Sequence, residues 1–269
     1  MKKAMLILAA VLIAASADAG KVLKVLAIGN SFSEDAVEQY LYELAAAQGD
    51  SLVIGNAYIG GCSIDRHWSN AQSGKKEYRY RKIIGGKTVT RKSVDLASII
   101  RDDQWDIISL QQVSYLTGMP YSFGNLSNLK DYVLKTCTNP EVEIIWHMTW
   151  AYARTSGHNG FRLYKKDQQI MYNNILLTTR DRVPRVGIRR VVPAGMAIQF
   201  ARDKMGDVLT RDGFHLEKTY GRYTAACTWC EVLTRRKVTG NKYHPESIDE
   251  QTARTAQQSA HKAVKTFRL

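Results

Sequence analysis

After residue 20 the sequence has no apolar run long enough to cross a bilayer, which argues against stable membrane insertion there. It also has no Pro/Gly/Ser-rich linker, internal repeat or low-complexity tract, so nothing divides residues 20–269 and a single domain is expected. Cysteine is scarce. Cys62, Cys137, Cys227 and Cys230 could form at most two disulfides, and the sequence does not choose among the three pairings. Cys227 and Cys230 have a redox- or zinc-like spacing, but no second ligand pair lies nearby, so they are read as helix packing and neither a metal nor a cofactor is expected. Acidic residues are in deficit, 25 Asp and Glu against 38 Lys and Arg, giving a formal net charge of +13. Such a balance admits nucleic acid, anionic surfaces or acidic substrates as partners, or a merely solvated surface.

At the N-terminus, Lys2 and Lys3 precede an apolar run from Ala4 to Ala15 and then Ser16-Ala17-Asp18-Ala19. That is the pattern of a secretory signal peptide spanning 1–19, so a periplasmic or secreted product is expected. Export makes nucleic acid the least suitable partner and an anionic polysaccharide a suitable one.

The run Val25-Leu26-Ala27-Ile28 stops at Gly29-Asn30-Ser31 and is followed by a helix expected over Glu34–Gln48. A strand end of this kind places a serine where open α/β sheets bind ligands, either as a nucleophile or as a helix cap. A second strand, Ser51–Tyr58, ends in Gly60-Gly61, whose backbone N–H groups could face a ligand. Residues 76–94 alternate around Gly85-Gly86 and read as a cationic hairpin insertion. Its Arg79, Arg81, Lys87 and Arg91 would form either a solvated ribbon or a basic wall. A third strand ends at Gln111-Gln112, whose side-chain amides could donate to an oxyanion. A fourth runs into an aromatic cluster with Trp150 and Tyr152, and His147 there reads as a core histidine. A fifth strand covers Val186–Val192, and the C-terminal tail reads as a surface helix.

The second informative stretch is Arg211-Asp212-Gly213-Phe214-His215, in a loop before a helix. An Asp three residues before a His can hold the imidazole in one tautomer, leaving the other nitrogen to accept a serine proton.

Gly29-Asn30-Ser31, Gly60-Gly61, Gln111 and Asp212-x-x-His215, in this order, make the chain resemble an SGNH (GDSL-type) hydrolase, in particular the exported Bacteroidetes-type proteins of the domain of unknown function DUF4886, which begin with Gly-Asn-Ser-Phe-Ser. The resemblance implies a flavodoxin-like three-layer α/β/α sandwich on a mostly parallel five-stranded sheet. It makes Ser31 the nucleophile, His215 the base and Asp212 its orienting acid. The Ser31 and Gly61 N–H groups with the Gln111 side chain would form the oxyanion hole. Asn30 stands where an Asp is usual, and Gln111 where the pattern has Asn, with Gln112 as the competing donor.

The expected function is a carbohydrate esterase removing O-acetyl groups, with methyl esters as the lesser alternative, from a polysaccharide such as an acidic pectin-like glycan. Gln112, Trp150 and Tyr152 are the expected substrate contacts. A lipid esterase or lysophospholipase on the same residues, and an inactive glycan-binding protein, are the competing readings.

Overall fold

A computed structural model describes residues 22–269, so the expected signal segment lies outside the described residues. The core is one seven-stranded sheet. Its strands are β1 (Leu23–Gly29), β2 (Leu52–Tyr58), β3 (Tyr78–Ile84), β4 (Lys87–Val94), β5 (Ile107–Leu110), β6 (Glu143–His147) and β7 (Val191–Val192), in the order β4-β3-β2-β1-β5-β6-β7. Five of them are parallel, in the flavodoxin-like order, while β3 and β4 run antiparallel. The expected five-stranded sheet is therefore corrected to seven. The hairpin continues the sheet, because β3 finds an open edge on β2, with Tyr58 opposite Arg79 and Val53 opposite Ile84.

β1 is continuously buried from Val25 to Gly29, as a central parallel strand covered on both faces should be. β4 is exposed along nearly its whole length, as an uncovered edge strand is. The helices form two groups. On one side α3 (Ile64–Ser73), α4 (Leu96–Ile100) and α5 (Leu126–Thr136) touch one another. On the other, α1 (Ser31–Val37), α2 (Leu41–Ala46), α7 (Ala194–Met205), α8 (Tyr220–Thr234) and α9 (Glu250–Thr266) pack together. The remaining helix, α6 (Gln168–Arg185), leads into β7.

Three elements differ from expectation. The helix expected over 34–48 is broken into α1 and α2 at Tyr40, which takes a left-handed conformation and donates its hydroxyl to the Lys218 carbonyl at 2.9 Å. The fifth strand shrinks to Val191–Val192. The C-terminal helix is half core, since Ala253, Ala256, Ala260 and Ala263 form a buried stripe at helical spacing, in a helix packed against α7 and α8. All four cysteines are unpaired, and Cys227 and Cys230 are buried in α8.

Candidate active site

The carboxyl ends of β1, β2 and β5 meet where the strand order reverses, the crevice in which such sheets bind ligands. After Gly29 the chain turns into α1 through Asn30, whose Oδ1 accepts the Phe32 N–H at 3.0 Å and whose Nδ2 donates to the Cys62 carbonyl at 2.9 Å. Asn30 thus ties the turn after β1 to the turn after β2. Ser31 becomes the first residue of α1, so its N–H has no intrahelical acceptor, and its hydroxyl makes no hydrogen bond among the described residues. Across from it, Gly61 adopts φ +60, a conformation that favours glycine.

The Asp212–His215 loop is closed by a bridge between Thr210 and Leu216. Asp212 Oδ2 stands 2.6 Å from His215 Nδ1, and Oδ1 accepts the N–H groups of Phe214 and His215 at 3.1 and 2.8 Å. Burial pushes the Asp212 carboxyl up, but the hydrogen bonds from the His215 ring and the two N–H groups outweigh it and hold the group below the usual carboxylate range. With Nδ1 committed to the carboxylate, Nε2 is free to receive a proton.

The loop is fixed from two directions. Trp150 Nε1 donates to the Phe214 carbonyl at 2.8 Å, and the Ala153 N–H donates to the Gly213 carbonyl at 2.8 Å. From the other side the fully buried Asp35 of α1 accepts the Leu216 N–H at 2.8 Å and pairs with Arg211 at 3.1 Å and Arg222 at 2.6 Å. Burial pushes the Asp35 carboxyl up, against the pull of Arg222 and Arg211. Asp35 therefore couples the helix that begins with Ser31 to the loop that carries His215.

Ser31, Gly61 and His215 line one cavity of about 250 Å³, together with Tyr58, Tyr115, His158 and Phe214. Asp212 stands behind His215. Among the described residues, no group of three or more His, Cys, Asp or Glu side chains could hold a metal ion.

The other expected site residues are placed differently. Gln111 is 2% exposed and does not line the cavity. Its Nε2 donates to Asn30 Oδ1 at 2.8 Å and its Oε1 accepts from His147 Nδ1 at 2.8 Å, so the expected oxyanion donor is a strut beneath the turn. Gly29 makes room for it, since a Cβ there would stand 2.8 Å from the Gln111 Cδ. Gln112 is buried too, donating to the carbonyl and hydroxyl of Ser122 and accepting from Ile64 and Val113. Trp150 stacks on Phe32 with ring centroids 4.3 Å apart, and the Tyr152 hydroxyl is 2.7 Å from the Ser114 Oγ; both side chains are fully buried. The expected substrate contacts Gln112, Trp150 and Tyr152 are thus corrected to core residues, because apolar neighbours and internal partners already occupy them.

Sequence reasoning missed Tyr58, His158 and Asp35. His158 sits beside Phe214, with ring centroids 4.8 Å apart, and its Nδ1 accepts the Gly160 N–H at 3.0 Å, which leaves the proton on Nε2. Tyr58 carries the guanidinium groups of Arg79 and Arg81 over its ring at 4.5 and 4.6 Å. Only its position at the end of β2 signalled it.

The sequence profile of the family described as "Domain of unknown function (DUF4886)" matches residues 24–263. The crystal structure of a DUF4886 family protein from Bacteroides uniformis ATCC 8492 superposes with a TM-score of 0.89 at 44% identity, over 91% of this chain and 96% of that one. Two more distant structures share the fold. One, from Slackia heliotrinireducens and assigned to the SGNH hydrolases, gives a TM-score of 0.51 at 15% identity, over 79% of this chain and 99% of its own. The other, from Parabacteroides merdae ATCC 43184 and assigned as a GDSL-like lipase, gives 0.53 at 14% identity, over 81% and 98%. No curated protein matches the chain.

Proposed function

The chain belongs to the DUF4886 family, with the fold of the SGNH hydrolases, and from that premise we propose that it is an exported serine esterase removing O-acetyl groups from a polysaccharide. One observation carries the reading: Ser31 and His215 share a cavity, and a carboxylate sits 2.6 Å from the imidazole Nδ1, which leaves Nε2 for the serine. Ser31 Oγ attacks the ester carbonyl while His215 Nε2 takes its proton. The Ser31 and Gly61 N–H groups receive the developing oxyanion. His215 then returns the proton to the departing sugar oxygen, and water, activated by the same ring, releases acetate from Ser31.

The small cavity supports a short acyl group over a fatty one. The aromatic rings of Tyr58, Tyr115 and Phe214 around it offer faces for a sugar. A chromogenic acetate ester compared with its long-chain homologues, followed by acetate release from acetylated xylan and pectin, tests the proposal. Rapid turnover of acetate and none of the long-chain ester is expected. No turnover of any ester would reduce the protein to a binding module.

A further inference from the structure

The net charge of +13 invites the question of where it is left uncompensated. At the hairpin most of it is answered, and among the described residues only Lys87 and Lys92 there lack an ion pair. Arg81 pairs with Glu34 at 3.0 Å and Glu38 at 2.7 Å, Lys82 pairs with Asp102 and Asp103 at 2.9 and 2.8 Å, and Arg91 pairs with Asp102.

At the opposite end of the sheet the balance differs. Arg190, Arg235, Arg236, Lys237 and Lys265 line a groove of about 570 Å³ between the start of β7 and the ends of α8 and α9. A second cavity of about 260 Å³ shares Arg190 with it and adds Arg189 and Arg268. Three carboxylates answer these seven cations: Glu143 pairs with Arg190 at 2.7 Å, Asp50 with Arg236 at 3.4 Å, and Glu231 is held by His261 at 2.7 Å. The C-terminal ends of α8 and α9 together supply about one further negative charge. About three positive charges remain, and the Arg235, Lys237 and Lys265 side chains make no hydrogen bond or ion pair among the described residues. Val191, Val232 and Val264 give the groove an apolar floor.

We propose that this groove is a second binding site, remote from the cavity of Ser31, for a carboxylate-bearing polysaccharide. An open channel with spaced cations and an apolar floor fits a polymer that repeats a negative charge on each sugar ring and offers ring faces between them. The site would hold the polymer while esters on it reach the cavity at the other end of the sheet. The choice of an acidic glycan rests on the proposed esterase reading, but binding at the groove requires no catalysis.

The test is affinity electrophoresis of the full chain through polygalacturonate and through neutral xylan, at about 0.05 and 0.5 M salt, where exposed charges are respectively weakly and strongly screened. The wild type should be retarded by polygalacturonate only, and only at low salt. The triple variant Arg235→Gln/Lys237→Gln/Lys265→Gln should bind about tenfold more weakly while turning over a small acetate ester as the wild type does. A control, Lys75→Gln/Lys87→Gln/Lys92→Gln, removes the same charge from exposed positions near and on the hairpin and should leave binding unchanged. Equal loss in both variants would overturn the site in favour of net charge alone. Retention of full affinity by the first variant, or binding to anionic lipid vesicles without binding to the polymer, would overturn it too. Absence of ester turnover in the wild type would count against the esterase reading and leave the binding result interpretable.

Discussion

Two layers of polar side chains lie at the carboxyl end of the sheet, and each contains a histidine. In the outer layer His215 has one nitrogen on Asp212, while its ring lines the cavity with Ser31. In the inner layer the fully buried His147 donates to Gln111, which in turn donates to Asn30, and burial drops the ring to about 3. The difference is in the second nitrogen. His147 Nε2 is buried without a partner, so the ring gains nothing by protonation, whereas the outer ring lines the cavity. A polar group is available for chemistry here when its hydrogen-bonding capacity is left partly unused at a cavity. It is structural when that capacity is used within the core.

If the layers divide this way, changes to the outer one should affect rate far more than stability. Ser31→Ala should lower ester turnover by about a thousandfold or more while moving the melting temperature by about a degree at most, since it removes a hydroxyl without a protein partner. Calorimetry beside an acetate-ester assay reads both, and a variant with near wild-type turnover would leave Ser31 as no more than the first residue of α1, which Asn30 caps.

Asp212→Asn tests the next link. An amide in place of the carboxylate would present the wrong group to His215 Nδ1, and turnover should fall about a hundredfold to ten-thousandfold with the Michaelis constant nearly unchanged. Unimpaired turnover would leave Asp212 as a loop brace through its bonds to Phe214 and His215.

The inner layer should behave in the opposite sense. Gln111→Leu keeps the approximate shape but leaves Asn30 Oδ1 and His147 Nδ1 short of a partner, at a cost of about 2–3 kcal/mol of stability. Turnover should fall much less than in Ser31→Ala. A loss of rate as deep as that of Ser31→Ala with stability intact would return Gln111 to the oxyanion hole.

These expectations also trace what the sequence could convey. β1 and its Gly29-Asn30-Ser31 turn were legible because a buried parallel strand is continuously apolar and its end is marked locally. Asp212 and His215 were legible because three residues separate them. The place of Gln111 is not legible in the sequence, because its partners are 81 and 36 residues away and an amide at a strand end looks the same whether it faces a cavity or the core. Trp150 and Tyr152 failed likewise, since an aromatic cluster does not show which rings lie inside. Asp35 gave no signal, because its role depends on Arg211, Leu216 and Arg222, far along the chain. The hairpin was recognised as a motif but not as part of the sheet, because an edge strand's partner is not written in its own residues.

A further effect lies in acid, where the two fully buried histidines tie stability to pH. Burial lowers both His147 and His67 from the ordinary histidine value to about 3. Between about pH 6.5 and 3 the unfolded chain therefore binds a proton on each ring that the folded chain refuses, so stability is fully present above the upper value and declines as pH falls. Each ring contributes a slope of about 1 kcal/mol per pH unit in that window. His147→Gln removes one of the two contributions while retaining a side-chain N–H that can still reach Gln111. Urea denaturation at a series of pH values should show the variant less stable than the wild type at neutral pH, through imperfect packing, but losing stability less steeply toward pH 4. Parallel curves for the two proteins would mean that His147 accepts its proton in the folded state, and the inner layer would then be wetter than its hydrogen bonds imply.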